Sequence, residues 1–536
     1  MNVEYEKTKT FSDYDIWSMT IFNNFLSCTS QVWKCMYENH ILPLKTTSNV
    51  DVLDKNTKLT HYVDYAKKIR DSTIRLPDWF ILSNGTKQQK IIPCYDTDTD
   101  PMSIILINMF SSSNGLTMIN AHLSESMMRN GMHVSDVITR FLFKIYGNAY
   151  CLNYIRNYVT SPEKCFLIRD HYKALYEHLK FGLLEKKLKR MILISPRQII
   201  LIIKLLKEYK SYIVNDLLIM NFKRGKIVQK ILYDDKYSDM KRIFEKLWPE
   251  LELIVLMKHG GFRIQTEYIR RYIGNIRLYC PIYYIPEVTI GYDYLNDNTF
   301  TIDPRKGYFE FIPINVNTDE SDFRQPLRSD FRQPLWSDKN CTKTKSIRQL
   351  EIGKLYNLVV STKSSDVHRY VTNEIIRIVG YTNGSPKIDL ICKEYELIRS
   401  KNKIITPHDL ELVLLQNFIL VDYCYKLNSK IDSKIDSKID LIKPKLYIEL
   451  DESCYVKNDA KVYDVKKSIK DIQIYDHLLS KLDISMEIKI VMPGTFEILY
   501  QSRYNEYIDP SLIQLPKILT DDFDLEIIRE NILYMY

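Results

Sequence analysis

Apolar residues recur along this chain at two periods, and the dominant period changes partway through. In the N-terminal half, helical spacing prevails. Ile16, Met19, Ile21, Phe22, Phe25 and Leu26 predict a helix within residues 11–37, and residues 61–69 predict a second. Residues 123–146, with Met127, Met128, Val137, Phe141 and Phe143 as core, also read as helical, while 103–110 reads as a buried strand or helix. Ser195-Pro196-Arg197-Gln198 opens a strong amphipathic helix, with serine as N-cap and proline in the first turn. Residues 251–257 form an unbroken apolar run expected of a buried strand, closed by a turn at His259-Gly260-Gly261. No GxSxG elbow accompanies that His-Gly-Gly, so an oxyanion-loop reading has no nucleophile to serve.

The later part of the chain shifts to the strand period. Residues 355–360, 374–379, 418–423, 445–450 and 487–491 read as strands, 464–482 as a helix, Pro493-Gly494-Thr495 as a turn and 496–502 as a closing helix. Two tandem repeats interrupt the pattern. Residues 321–328 recur almost intact at 329–336, and Asp-Ser-Lys-Ile recurs within 428–440. Short duplications survive where backbone is exposed and makes few contacts, so both are read as solvated insertions. The expected organisation is a large α/β domain over 1–392, with an insertion near 316–346. A smaller α+β domain over 393–536 follows, with an insertion near 428–440.

Composition changes this picture in three places. The net charge of +8 over 536 residues, with acids and bases interspersed, argues against a nucleic-acid surface but leaves room for a weakly basic groove taking an anionic nucleotide. Ten cysteines without a CxxC pair give neither zinc spacing nor a disulfide framework. The start of the chain lacks a signal-peptide pattern, and the apolar run at 199–206 is too short to span a bilayer and is broken by Lys204. A reducing compartment, the cytoplasm, is therefore expected. Fifteen glycines are under half the usual share of about 7%. Loops that wrap phosphates use glycine freely, so this scarcity counts against a fully equipped nucleotide enzyme.

One stretch nevertheless carries phosphate chemistry. Between the apolar runs 79–82 and 91–93, residues 83–90 read Ser-Asn-Gly-Thr-Lys-Gln-Gln-Lys. Turn amides and hydroxyls can hold phosphate oxygens while lysine supplies charge. A plain polar turn between two strands has the same composition.

Three further segments carry a family resemblance. Ile488-Lys489-Ile490-Val491-Met492-Pro493-Gly494-Thr495-Phe496-Glu497, Glu351 through Thr362, and Tyr308-Phe309-Glu310-Phe311-Ile312-Pro313 resemble, in this order, motifs of the auxin-responsive Gretchen Hagen family of acyl acid-amido synthetases. That family belongs to the adenylate-forming superfamily. The resemblance is collinear over nearly the whole chain. It implies the adenylate-forming architecture: a large N-terminal mixed sheet or barrel domain with flanking helices, and a smaller α+β C-terminal domain. Such enzymes activate a carboxylate with ATP and Mg2+, then transfer the acyl group to an amino acid.

The resemblance also assigns residues. The family's phosphate loop falls on 83–90, where Ser83, Gly85, Thr86 and Lys90 persist as ATP-binding residues but a later glycine is gone. Its "Y-(G/A)-(S/T)-(S/T)-E" falls on Tyr283 through Glu287. Tyr283 would pack on adenine and Glu287 would approach metal and phosphate as a catalytic residue, but Ile285 and Pro286 replace two hydroxyls. Its ribose-holding aspartate is Glu374 here, and its arginine is lost unless Arg369 substitutes. Its C-terminal catalytic lysine is replaced by Gln514, leaving Lys517 as the nearest substitute. All four motifs are altered together. The leading expectation is a catalytically degenerate relative kept for ligand binding or protein interaction. The alternative is an active ATP-dependent acid–amino acid ligase, for which nucleotide and a carboxylic acid are the ligands.

Overall fold

The computed structural model describes residues 79–83, 90–94, 116–119, 125–127, 133–135, 153, 156–234, 236, 239–314, 344–362, 364–400, 403–416, 418–426, 445–457, 463–465, 487–503, 510–519 and 522–535. The helices expected at 11–37 and 61–69, the run 103–110 and both tandem repeats lie outside these residues.

A parallel sheet forms the first layer. Its strands run in the order Leu116–Ile119, Leu188–Ile192, Leu253–Val255 and Arg277–Tyr279, all parallel. A strand buried on both faces needs an apolar run, and Leu253–Val255 is fully buried as its sequence demands. The helices His171–Leu184, Pro196–Glu208 and Arg263–Ile273 contribute to the same core, which is centred on Phe244, Trp248 and the isoleucines of Pro196–Glu208. Pro196 sits in the first turn as expected. Ser195, however, does not cap the helix with its side chain. Its hydroxyl donates instead to the Ser511 carbonyl at 2.6 Å, a tertiary contact that local spacing could not reveal.

The second layer is a seven-stranded antiparallel sheet in the order Tyr308–Pro313, Leu355–Thr362, Val367–Thr382, Ser385–Lys393, Phe300–Ile302, Val288–Tyr292 and Ile282–Ile285. It absorbs the strands expected at 355–360 and 374–379. Against it lies a four-stranded mixed sheet formed by Lys90–Cys94, Trp79–Ser83, His133–Ser135 and Glu125–Met127. The helix expected over 123–146 is therefore corrected at 125–127 and 133–135, where the backbone pairs as strands. Sheet pairing overrides a local helical period when it satisfies the same backbone groups over long range.

The third layer is a sheet in the order Leu420–Lys426, Lys445–Leu450, Glu487–Val491 and Ile532–Met535, backed by the helices Thr495–Ser502 and Asp522–Glu530. The turn before Thr495 uses Gly494 at φ 88°, a left-handed backbone that glycine adopts freely. The helix expected from 464 onward does not begin there, because Tyr463–Val465 pairs as a strand with Tyr455–Lys457. The mixed α/β class expected from the sequence is the class observed.

One glycine allows a close approach between two interior strands of the seven-stranded sheet. At Gly291 a side chain would place Cβ 2.3 Å from the Thr301 carbonyl oxygen of the paired strand. Gly291→Ala should therefore push the two strands apart and cost about 1–3 kcal/mol. The check is a lower urea midpoint at unchanged slope in equilibrium unfolding.

Candidate functional site

Ser83 and Lys90 face each other as the last and first residues of antiparallel paired strands. The loop carrying Gly85 and Thr86 lies outside the described residues, as does the Ser83 side chain. Along Lys90–Cys94, side chains at alternate positions share a face. Ile92 is fully buried in the core of the seven-stranded sheet, and Lys90 must point the same way. Its ammonium donates to the Tyr370 hydroxyl at 2.8 Å and lies 3.4 Å from Glu287 Oε1.

Glu287 occupies the tight turn, with Pro286, between Ile282–Ile285 and Val288–Tyr292. Its side chain is 2% exposed. Its backbone carbonyl accepts from the buried Ser365 hydroxyl at 2.6 Å, which ties this turn to the loop before Val367–Thr382. Tyr283, one strand back, packs its ring 5.5 Å from Phe300. The Tyr283 hydroxyl is buried without a hydrogen-bond partner, and burial first, then the Glu287 charge, pushes its pKa well up. Ile285 is buried in the same apolar core, so the position that carries a hydroxyl in the resembling motif serves packing here.

Glu374 and Lys393 stand directly opposite each other on adjacent strands. Opposite residues share a face, and their side chains form an ion pair in which Glu374 is 5% exposed. Burial, together with the nearby Lys90 ammonium, lowers the Lys393 pKa, while Glu287 and Glu396 oppose the shift. Lys393 thus joins Lys90, Glu287, Tyr370 and Glu374 in one charged cluster. Arg369 does not enter it. Its guanidinium makes a bidentate pair with Glu310 at 2.9 and 3.0 Å, and both groups are buried.

Lys517 pairs with Asp422 rather than with these residues, and its backbone amide donates to Glu396 at 3.3 Å, whose other oxygen accepts from the Lys393 amide at 2.9 Å. The Lys517 ammonium donates to Asp422 Oδ1 at 2.6 Å and lies 4.3 Å from the Tyr423 ring centroid. Burial lowers its pKa, but Asp422 and Glu411 outweigh this and the net shift is upward. Gln514 packs on the turn after Leu253–Val255, with Oε1 3.1 Å from where a Gly261 Cβ would stand.

Sequence reasoning therefore placed Lys90, Glu287, Tyr283 and Glu374 in one region and missed Lys393. A signal for it existed. Asn383-Gly384 forms the hairpin turn, with φ 48° and 78°. An Asn-Gly turn of that kind fixes register, and pairing counted outward from Thr382 and Ser385 reaches Glu374 opposite Lys393.

Glu287, the carboxylate of this cluster, already faces the Lys90 ammonium, and no group of three or more metal-ligating side chains occurs among the described residues. No helix among them is long and apolar enough to cross a membrane.

Residues 73–278 match the model of the GH3 family N-terminal domain, and residues 300–393 that of the GH3 family central domain. Indole-3-acetic acid-amido synthetase GH3.5 of Arabidopsis thaliana is 23% identical over 491 residues, covering 82% of this chain and 78% of that relative. Putative indole-3-acetic acid-amido synthetase GH3.9 of the same plant is 23% identical over 492 residues, covering 81% and 80%. Among solved structures, GH3.15 acyl acid amido synthetase superposes with a TM-score of 0.69 at 18% identity, over 97% of this chain and 96% of that one. At that identity the likeness establishes the fold.

Two outcomes follow from this geometry. Removing either partner of the Glu374–Lys393 pair, by Glu374→Gln or Lys393→Met, should cost about 1–3 kcal/mol. The loss stays below that of a fully buried pair because 28% of the Lys393 side chain reaches solvent. The double variant should cost less than the sum, read as a double-mutant cycle in urea unfolding. The second concerns His259, whose Nε2 is buried without a hydrogen-bond partner and whose ring lies 4.8 Å from Phe300. Burial first, then Lys258 and Arg263, lowers its pKa to about 3. The unfolded chain takes up a proton near the ordinary imidazole value of 6.5 and the folded chain does not, so stability is lost as pH falls from 6.5 toward 3. His259→Phe should make that acid slope shallower in unfolding free energies measured across the window.

Proposed function

This chain belongs to the GH3 family of acyl acid-amido synthetases, and on that premise we propose a divergent member that no longer adenylates and is retained for ligand binding or protein interaction. One observation carries this reading. Each charged group that adenylation would use is neutralised by another side chain of the same protein: Lys90 by Glu287, Glu374 by Lys393 and Lys517 by Asp422. Acyl activation needs positive charge aimed at developing phosphate charge, and an ammonium paired to a buried carboxylate is poorly available for it. Gln514, where the resembling motif has lysine, is neutral and adds nothing in its place.

In this role the cluster around Lys90 and Glu374 is a weak nucleotide or carboxylic-acid site. Lys90 faces the anion and Glu374 a ribose hydroxyl, at the cost of opening two ion pairs, Lys90–Glu287 and Glu374–Lys393. Cytoplasmic residence agrees with the six described cysteines, which are buried and outside any disulfide.

The second reading is an active ATP-dependent acid–amino acid ligase working through an acyl-adenylate. It is favoured by the convergence of Lys90, Glu287 and Glu374 from segments nearly 200 and 280 positions apart. In that reading Lys517 must leave Asp422 to act.

ATP–pyrophosphate exchange with a panel of aryl and alkyl carboxylic acids separates the two. The expected result is no exchange above the protein-free rate, with one or more acids raising the melting temperature. Robust exchange that Glu287→Ala abolishes overturns the first reading and establishes the second.

A further inference from the structure

The helices Lys210–Met220 and Phe222–Leu232 form a hairpin about Asn221. They pack tightly near the corner, where a Cβ on Gly225 would fall 2.7 Å from the Leu218 backbone nitrogen. At the open end Lys210 lies 4.5 Å from the Tyr233 ring centroid, so the two helices run back alongside each other. The inward face is ordinary core: Ile213, Val214, Leu217, Val228 and Leu232 are buried.

The outward face is not ordinary surface. At the corner, Ile219 is 77% exposed and Phe222 63%, with Met220 between them at 44%. Single exposed apolar residues need no explanation, but three at one turn do. Lysines flank them. Lys223, Lys226 and Lys230 are exposed along the second helix, and Lys226 lies 5.6 Å from the Phe222 ring centroid. Tyr209, Tyr212 and Tyr233 are exposed at the far end. Acidic groups are few. Asp216 accepts from the Tyr176 hydroxyl at 2.9 Å and lies 3.6 Å from Lys180, and Asp234 accepts a backbone amide from Lys236. A shallow open depression lined by Lys226, Gln229, Lys230, Tyr233 and Asp234 runs beside the lysines.

The geometry points to an anionic bilayer surface as the occupant of this hairpin. The apolar side chains project from a corner instead of lining a groove, which suits insertion below lipid headgroups more than capture of a peptide. Lysines carry their charge on long apolar stems that lie along the interface while the ammonium meets lipid phosphate. Attachment of this kind requires no membrane-spanning helix.

Sedimentation of the full chain with phosphatidylcholine vesicles, with and without about 30% phosphatidylserine, tests the assignment. The expected result is partitioning about tenfold stronger into the anionic vesicles, lost at high salt. Phe222→Asp and the double variant Lys223→Glu, Lys226→Glu should each lower it about tenfold at unchanged melting temperature, since all three residues are exposed. Absence of binding to anionic vesicles overturns the proposal, as does binding that neither variant alters. A concentration-dependent dimer in light scattering that Phe222→Asp dissolves, without vesicle binding, also overturns it and assigns the face to a second copy of this chain.

Discussion

The antiparallel pairing of Val367–Thr382 with Ser385–Lys393 is the constraint on which the charged cluster depends. Its turn, Asn383-Gly384, takes left-handed angles at both residues, and that turn fixes which residues oppose each other. Two register shifts interrupt the ladder, between Ile375 and Ile376 and between Ile378 and Gly380. They cancel, so Glu374 still meets Lys393. A slip of one residue would turn Glu374 to the other face and leave a buried carboxylate without its cation. Tyr370 sits further along the same strand, fully buried, and presents its hydroxyl to Lys90. The alternation of Lys90 with buried Ile92 delivers the ammonium from a separate sheet.

What this arrangement can do follows from its charge balance. Lys90 faces Glu287 and Lys393 faces Glu374, so opposite charges satisfy each other within the protein. Ion pairs in partly desolvated positions hold together because separating them leaves an uncompensated charge. A ligand entering here must replace those contacts with its own. A ligand that meets both Lys90 and Glu374 has to open both pairs. A metal-bound triphosphate would have to displace the lysine from Glu287 and find further ligands as well. Family membership supplies the scaffold, and the internal pairing sets which charges a ligand must meet.

The helix Arg263–Ile273 joins the layers. Ile269, Tyr272 and Ile273 face the core of the parallel sheet, while Ile264 belongs to the core of the C-terminal sheet. Its polar side chains bind across the same boundary: Gln265 donates to Asp422 at 3.2 Å, and Tyr268 donates to Asp451 at 2.9 Å. Arg197 adds a contact from the neighbouring helix, with its guanidinium 3.0 Å from Glu497 and over the Tyr500 ring. Asp422 therefore answers both Gln265 and Lys517, while Glu396 accepts from the backbone amides of both Lys517 and Lys393 and links this pair to the Lys393 end of the charged cluster.

The sequence by itself determined the elements whose period is set locally. The buried run at 253–255, the proline-started helix from 196, the strands from 355 and 487 and the glycine turn before 495 all follow from spacing, because each is a near-neighbour property of the chain. It also determined the family, through collinear motifs, and the candidates Lys90, Tyr283, Glu287 and Glu374. Tertiary structure alone decided who faces whom. Residues 125–127 and 133–135 became strands because distant backbone offered them a sheet. Ser195 left its helix to bind Ser511, and Lys517 found Asp422. Lys393 gained its meaning only from a register counted around a turn. Periodicity is written between neighbours, whereas charge compensation is settled between residues that the fold brings together from hundreds of positions apart.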